Sequence, residues 1–142
     1  MSNLDIKQID VCDMKDFHIG SAEDFDKLTG VTVISSKDGA TASVDVRGGG
    51  PATRETDLLS PENMVQAIHA VVLSGGSAYG LEASSGVMDY LASKDIGFDV
   101  GVGKVPIVCG ASLFDLQIGQ NSYQNKEMGY SAAHNAYEGE NI

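Results

Sequence analysis

Two glycine clusters, at residues 48–50 and 75–76, enclose the segment that most restricts how this chain can fold. Glycine allows backbone conformations and close approaches that other residues resist. Between the clusters lie a charged turn, a predicted short helix and a near-continuous apolar run at residues 69–74. Such a run is typical of a strand that is covered on both faces. The segment therefore predicts a layered core with polar residues held against its turns.

Hydrophobic periodicity and turn residues predict the remaining elements. We expect strands at residues 17–20, 30–36, 40–47, 69–74 and 104–109, a hairpin turn at Asp38-Gly39, and a loop at 21–29. Pro106 indicates an edge position or a bulge in the last strand. We expect helices at residues 61–68, 78–93 and 126–137, with Ser60 and Ser77 as N-caps of the first two. On the second helix the pattern predicts a stripe of Leu81, Ser85, Met88 and Ala92, broadened by Ala83, Val87 and Leu91.

The order of these elements predicts an α/β fold of the α+β layered kind. The 142 residues suit one domain. We expect residues 1–16 to form an N-terminal arm and residues 17–142 to form a single α/β domain.

The net charge of −11, from 9 basic and 20 acidic residues, disfavours nucleic acid and anionic membrane surfaces as partners. The start of the chain has no apolar signal region, and no apolar run reaches membrane-spanning length. The two cysteines, Cys12 and Cys109, lack metal-ligand spacing, and Cys109 lies in an apolar run. We therefore expect a cytoplasmic protein with reduced thiols, Cys109 in the core and no bound metal.

The segment from Gly75 to Gly80 is a predicted strand-to-helix turn, where free N–H groups favour anions. It matches neither a dinucleotide fingerprint nor a P-loop. It differs from the Gly-x-Ser-x-Gly nucleophile elbow by Tyr79 in place of the last glycine. Tight strand–helix packing with Ser77 as a cap is the favoured interpretation. A nucleophilic Ser77 is the alternative, and it requires a histidine from His18, His69 or His134.

Two further clusters are candidate sites. In the loop after Gly50, the pattern allows Arg54 either to clamp a substrate carboxylate or to form an internal salt bridge within the cluster of Arg54, Glu55 and Asp57. At the end of the last predicted strand, Ser112, Phe114 and Asp115 are suited to line a pocket. Periodicity alone would instead place Phe114 in the core and Asp115 in a turn.

Three motifs, at residues 46–59, 72–81 and 105–116, resemble in order and spacing the P1 family of peptidases, the S58 group. That family holds L-aminopeptidase/D-amidase-esterases, β-peptidyl aminopeptidases and nylon-oligomer hydrolases. The resemblance runs from about residue 17 to residue 137. It implies part of an αββα sandwich like that of N-terminal nucleophile hydrolases. It also implies self-cleavage that exposes an N-terminal Ser or Thr nucleophile, oxyanion donors, and no metal or organic cofactor.

In that family the nucleophile and its supporting residues follow position 142. We therefore expect this chain to be the N-terminal segment of an aminopeptidase or amidohydrolase, inactive alone, with the C-terminal half or a second chain as its partner. We also expect a small peptide or amide substrate and a homo-oligomer. The alternative is a non-catalytic binding or assembly module. The expected substrate-pocket residues are Ser112, Phe114, Asp115 and Tyr79, and the expected loop and scaffold residues are Arg54, Glu55, Asp57, Gly75, Gly76 and Ser77.

One departure from the family concerns Phe114. Some members have a tyrosine at this position, two residues after a glutamate, and this chain has Ser112 and Phe114 there. A phenylalanine cannot donate a hydrogen bond. The resemblance therefore implies that a contact to the oxyanion or to the substrate amine is lost in this chain.

Overall fold

A computed structural model describes residues 6–120 and 122–139, which form one five-stranded mixed sheet with two helices on one of its faces. The sheet contains, in spatial order, β1 (His18–Asp24), β2 (Thr29–Ala40), β4 (Ile68–Ser74), β7 (Val108–Ser112) and β3 (Thr53–Arg54). A separate hairpin pairs β5 (Phe98–Asp99) with β6 (Lys104–Val105). The helices are α1 (Ala83–Ser93) and α2 (Lys126–Glu138). This arrangement confirms the predicted α+β layered class.

The parallel pairing of β4 and β7 determines which loops lie next to each other at one edge of the sheet. All other neighbouring strands of the large sheet are antiparallel, and α1 lies in the crossover that leads from β4 to β7. The register places Ser74 opposite Ser112, the last residues of the two strands. Loops that follow parallel strands therefore leave the sheet side by side, which is a common place for ligand sites.

The helix face, the side of the sheet that carries α1 and α2, forms the core. Along each strand, the side chains that point to the helix face alternate with the side chains that point to the other face, as the pleat of a strand requires. The buried cluster joins Val31, Val33, Ala70, Val72 and Val108 of the sheet to Ala83, Val87, Tyr90, Leu91, Ala132 and Ala133 of the helices. The helices cross so closely that a Cβ on Gly86 would lie 1.8 Å from the Lys126 carbonyl oxygen. Glycine at this crossing thus lets the two helices approach each other closely.

The other side of the sheet, here called the open face, includes the side chains of Ile19, Ile34, Val71, Leu73 and Ala111. No described helix or strand packs on these residues, which are half-buried or exposed. Leu73 keeps 47% of its surface in contact with solvent. The prediction that residues 69–74 form a strand is confirmed. Its predicted cover on both faces is only partial among the described residues, because His69 is buried whereas Val71 is half-buried and Leu73 is exposed.

The predicted hairpin at Asp38-Gly39 and its return strand at 40–47 are wrong. Strand β2 continues through these residues to Ala40, which pairs with Ile68 after a register shift. Gly39 has φ +81°, so the turn-forming conformation becomes an irregularity within the strand. Residues 41–47 form no strand.

The predicted helix at 61–68, with Ser60 as its cap, is also wrong. A 3-10 turn at Asp57–Leu59 precedes an irregular segment there. The Asn63 side chain donates to the Asp57 carbonyl at 2.7 Å, and the Gln66 side chain donates to the Asn63 carbonyl at 2.7 Å. Such bonds from side chains satisfy backbone carbonyl groups without the hydrogen bonds of a helix.

Smaller differences concern element ends. Strand β1 extends into the predicted loop at 21–29, and Pro106 separates β6 from β7 where one strand was expected. A 3-10 segment, Ser77–Glu82, takes up the start of the predicted second helix. That helix buries Ala83, Val87 and Leu91 as predicted, whereas the first predicted stripe is half-buried or exposed and the buried Gly86 and Tyr90 were missed. The predicted strand at 30–36 and the helix at 126–137 are confirmed by β2 and α2.

Three further predictions concern the chain termini, the cysteines and membrane-spanning segments. Residues 1–5 of the expected N-terminal arm and the last three residues lie outside the described part, and the domain boundary at residue 17 stays a prediction. Cys109 is a free, buried cysteine, as predicted. Within residues 6–120 and 122–139, neither helix has the length and apolar character needed to cross a membrane.

Candidate functional site

A cleft of about 650 Å³, here called the edge cleft, lies at the carboxyl ends of β4 and β7 and opens onto the open face. Its walls are largely apolar and include Phe25, Leu28, Leu73 and Leu113. Polar groups are confined to its floor and one rim. A mostly apolar cavity with a few placed polar groups is typical of small-molecule sites.

Asp115 fixes the floor of the edge cleft. One carboxylate oxygen accepts the Gly76 N–H at 2.6 Å, and the other accepts the Thr29 hydroxyl at 3.3 Å. A Cβ on Gly75 would lie 1.9 Å from that second oxygen, so only glycine leaves room for the carboxylate. The anion-binding turn predicted at residues 75–80 is therefore already filled by a carboxylate of the protein itself.

Ser112 also lines the edge cleft and is oriented by Ser74. The Ser74 hydroxyl donates to the Gly80 carbonyl at 3.0 Å, and the Ser74 and Ser112 hydroxyl oxygens are 2.5 Å apart. A hydroxyl has one hydrogen to donate. Ser112 must therefore donate to Ser74, which leaves its oxygen with acceptor lone pairs only. The arrangement suits a group that receives a hydrogen bond, and it lacks the base that a nucleophile would need.

Ser77 is not a helix cap, contrary to the prediction. The residue before the 3-10 segment is Gly76, and no side chain caps that segment. Ser77 adopts φ +56° and donates its backbone N–H to the Leu113 carbonyl at 2.8 Å. No histidine of the described residues contacts it, and His69 lies at the opposite end of β4. The nucleophile-elbow interpretation thus has no general base.

Phe114 and Tyr79 lie outside the lining of the edge cleft. Phe114 is 68% exposed, which contradicts its placement in the core by periodicity. Tyr79 is also exposed and stacks on Tyr123 with ring centroids 4.8 Å apart. Of the four expected substrate-pocket residues, only Ser112 and Asp115 meet in one place in this structure.

Arg54 forms neither the predicted internal salt bridge nor a clamp at the edge cleft. Its guanidinium donates to the Ser85 hydroxyl at 2.8 Å and to the Met88 sulfur at 2.9 Å, both on α1. Glu55 is exposed in a left-handed conformation with φ +57°. Asp57 begins the 3-10 turn described above. The cluster therefore ties the loop to the helical layer.

His69 is a buried side chain with a structural bond. Its Nδ1 accepts the Ile107 N–H at 3.2 Å, so the imidazole is neutral in that contact. Burial lowers the pKa of His69 below its ordinary value, and the nearby Lys104 charge adds to the effect.

We expect His69 to make the fold less stable as the pH falls. A lowered pKa means that the unfolded chain takes up a proton on this side chain before the folded chain does. Stability should therefore decline as the pH drops below about 6.5, the ordinary histidine value. Urea unfolding at pH 7.5 and 5.5 would show the decline, and His69→Asn, which keeps an acceptor near Nδ1, should flatten it. An unchanged slope in His69→Asn would contradict the assignment.

Sequence reasoning missed Thr29 and Gln124, which support the floor of the edge cleft. The fully buried Gln124 side chain donates to the Thr29 hydroxyl, and Thr29 in turn donates to Asp115. Gln124 falls in a polar segment that carries no local signal of burial. Its oxygen has no hydrogen-bond partner among the described residues. Nowhere in the described part of the chain do three side chains of His, Cys, Asp or Glu gather as metal ligands would.

The sequence matches the model of peptidase family S58 over residues 5–141. The chain belongs to peptidase family S58. An uncharacterized aminopeptidase of Mycobacterium leprae is 49% identical over 110 residues, which cover 77% of this S58 chain and 30% of the relative. A second, from Mycobacterium tuberculosis, is 50% identical over 104 residues, or 72% of this chain and 30% of the relative.

A more distant S58 relative is the 6-aminohexanoate-oligomer endohydrolase of Paenarthrobacter ureafaciens. It is 32% identical over 123 residues, which cover 86% of this chain and 32% of the relative. This S58 chain thus spans about a third of the length of the curated relatives that it matches. The predicted family is confirmed.

Proposed function

We propose that this chain is the N-terminal segment of an aminopeptidase or amidohydrolase that cleaves peptide or amide bonds. The nucleophile in this proposal is the N-terminal Ser or Thr of a segment outside these 142 residues, exposed by self-cleavage. Membership of family S58 and the names of its relatives, aminopeptidase and oligomer endohydrolase, support this reaction class. None of the edge-cleft groups described above has the base that a nucleophile requires.

The open face is the observation that carries the proposal. Four aliphatic side chains, Ile19, Ile34, Val71 and Leu73, share one side of adjacent strands without a covering layer in the described structure. Burying one such side chain fully is worth about 2 kcal/mol. Two sheets pack face to face about 10 Å apart in sandwich folds. A second sheet on the open face would complete an αββα sandwich.

Such a second sheet would also cover the edge cleft, because the cleft opens onto the same face. In this arrangement the chain described here provides the apolar walls and the rigid floor that position a substrate. The added segment brings the nucleophile and its α-amine base to the cleft, and an acyl-enzyme forms there when the amide bond breaks. Excluding water strengthens every polar contact inside such a site.

Protein purified from its native cells tests the proposal directly. We expect intact mass and N-terminal sequencing to show a companion polypeptide that begins with Ser or Thr, and we expect the preparation to hydrolyse leucine p-nitroanilide. Leu73→Asp should lower that hydrolysis more than about 100-fold, because an unpaired carboxylate would be buried between the sheets. The control is Val102→Asp at the tip of the β5–β6 hairpin, where the side chain is 97% exposed.

Two outcomes would count against the proposal. Full hydrolysis by Leu73→Asp would mean that nothing packs on the open face. A native preparation that contains this chain alone and hydrolyses no amide would favour a non-catalytic binding or assembly module.

A further inference from the structure

Residues 42–46, here called the unpaired segment, have the composition of a strand but no neighbouring strand in the described structure. None of their backbone groups forms a hydrogen bond within the described part of the chain. None of these residues has a positive φ, so the backbone conformation is compatible with a strand. Backbone N–H and C=O groups are strong hydrogen-bonding groups. The unpaired segment therefore offers five residues of backbone to a partner.

The unpaired segment also lacks the features that keep an exposed strand from pairing. Natural sheets protect such edges with charged residues, prolines or bulges. The segment contains no proline, and its one charged residue, Asp45, is paired with the Arg47 guanidinium at 2.6 Å. Val44 and Val46 share one side of an extended chain and are 47% and 43% exposed. These residues thus present an apolar side and an unprotected backbone together.

A groove of about 580 Å³, here called the side groove, adjoins the unpaired segment. Ala42 and Val44 form part of its lining, and Leu58, Leu59 and Val65 form another part. Peptides that add a strand to an exposed backbone gain affinity from main-chain hydrogen bonds and specificity from pockets for alternate side chains. An extended polypeptide with apolar side chains at alternate positions fits both the segment and the groove.

The side groove is continuous with the open face. A cavity of about 170 Å³ is lined by Ile34 and Val71 of the open face and shares Thr41, Ala42 and Ile68 with the side groove. A polypeptide that packs on the open face can therefore reach the groove from the same side of the sheet. The matched regions make up only 30% and 32% of two curated relatives, so these relatives contain enough further chain to do so.

We propose that the unpaired segment is a docking strand, with which a strand of the companion polypeptide pairs while its alternate apolar side chains enter the side groove. The companion is that of the proposed function, on which this inference rests. Main-chain hydrogen bonds are directional, whereas apolar packing on the open face is not. Pairing with residues 42–46 therefore fixes the position of the companion along the sheet.

Hydrogen exchange of the native preparation tests the pairing. We expect those N–H groups of residues 42–46 that face the companion to exchange about 100-fold more slowly than the N–H groups of residues 48–50, after correction for intrinsic rates. Paired amides exchange only when the structure opens locally. Residues 48–50 are the control, since they lie in the same loop and a Cβ on any of them meets nothing within 4 Å.

Proline substitutions at two neighbouring positions provide a second test. Adjacent residues of a strand direct their N–H groups to opposite edges, so a partner on one edge loses a bond in only one of Ser43→Pro and Val44→Pro. Neither change removes a hydrogen bond within the described residues. We expect one variant to bind the companion about fivefold more weakly in a urea series, a typical loss for one backbone hydrogen bond, and the other to serve as its matched control. Equal effects of the two variants would overturn the proposal.

The outcomes separate this inference from the proposed function. Equally fast exchange of residues 42–46 and 48–50 beside a bound companion overturns the docking strand and leaves the proposed function. A companion that protects residues 42–46 in a preparation that hydrolyses no amide removes the proposed function and keeps the docking strand. Protection by a second copy of this chain, seen as a dimer mass without a companion, overturns both.

Discussion

Gly86→Ala is expected to destabilise the fold by about 3 kcal/mol, the upper range for overpacking a tight core. The added Cβ would lie 1.8 Å from the Lys126 carbonyl oxygen, which is backbone and cannot turn aside. The contact is reciprocal, since a Cβ on Gly129 would lie 1.9 Å from the Ala83 carbonyl oxygen. The helices would have to separate and lose packing along α1 and α2. Urea unfolding followed by circular dichroism measures the cost.

The sign of this effect is informative because helix propensity predicts the opposite. Alanine is favoured over glycine in a helix by about 1 kcal/mol. Gly49→Ala is the matched control, since a Cβ there meets nothing within 4 Å, and we expect a change below about 0.5 kcal/mol. An unchanged or raised stability of Gly86→Ala would show that the helices do not cross as closely as described.

Asp115→Ala is expected to cost about 3 kcal/mol and to loosen the edge cleft. The change leaves the Gly76 N–H and the Thr29 hydroxyl without their acceptor, and unpaired groups in partly buried positions are costly. Leu113 would keep its N–H bond to the Ser74 carbonyl at 2.8 Å, so the loop would stay near the sheet. The edge cleft would lose the carboxylate that forms its floor. Urea unfolding followed by circular dichroism measures the cost.

Two comparisons separate this role from a general loss of stability. Asp115→Asn keeps an acceptor for Gly76 and should recover more than half of the loss. Asp99→Ala removes a similar bond, from the Gly101 N–H at 2.7 Å, in an exposed hairpin, and should cost below about 0.5 kcal/mol. Equal costs for Asp115→Ala and Asp99→Ala would mean that Asp115 does not hold the cleft together.

Elements with strong local signals were predictable. Strand β4 has an apolar run, and α2 has the Asn125 cap, whose side chain accepts the Met128 N–H at 3.0 Å. The buried face of α1 was predictable only in part. Val87 and Leu91 follow helical periodicity, but Gly86 is buried because α2 crosses there, and periodicity carries no information on a partner helix.

The two wrong elements had local signals that tertiary contacts overrode. Asp38-Gly39 is a hairpin dipeptide by composition, yet the pairing of Ala40 with Ile68 extends the strand past it. The Ser60-Pro61 start is typical of a helix, yet the side chains of Asn63 and Gln66 bond to the backbone instead. In both places the local preference amounts to about 1 kcal/mol, which pairing or side-chain bonds can exceed.

The candidate site also contains residues with a local sequence signal and residues that only distant contacts bring together. Ser112 and Asp115 could be proposed from their place after a predicted strand. Their partners could not, since Thr29 is 86 residues from Asp115 and Gln124 is 95 residues from Thr29.

The amino-acid sequence by itself determined the family and the α+β class, and it placed most strands and helices of the sheet and its helical layer. These properties depend on motif spacing and on periodicity, which are local along the chain. The tertiary structure alone decided that Asp115 fills the turn at Gly75-Gly76 and that the described helices and strands leave one face of the sheet uncovered. Each of these depends on strand register and on contacts between distant residues, which bring together groups that local backbone preferences leave independent.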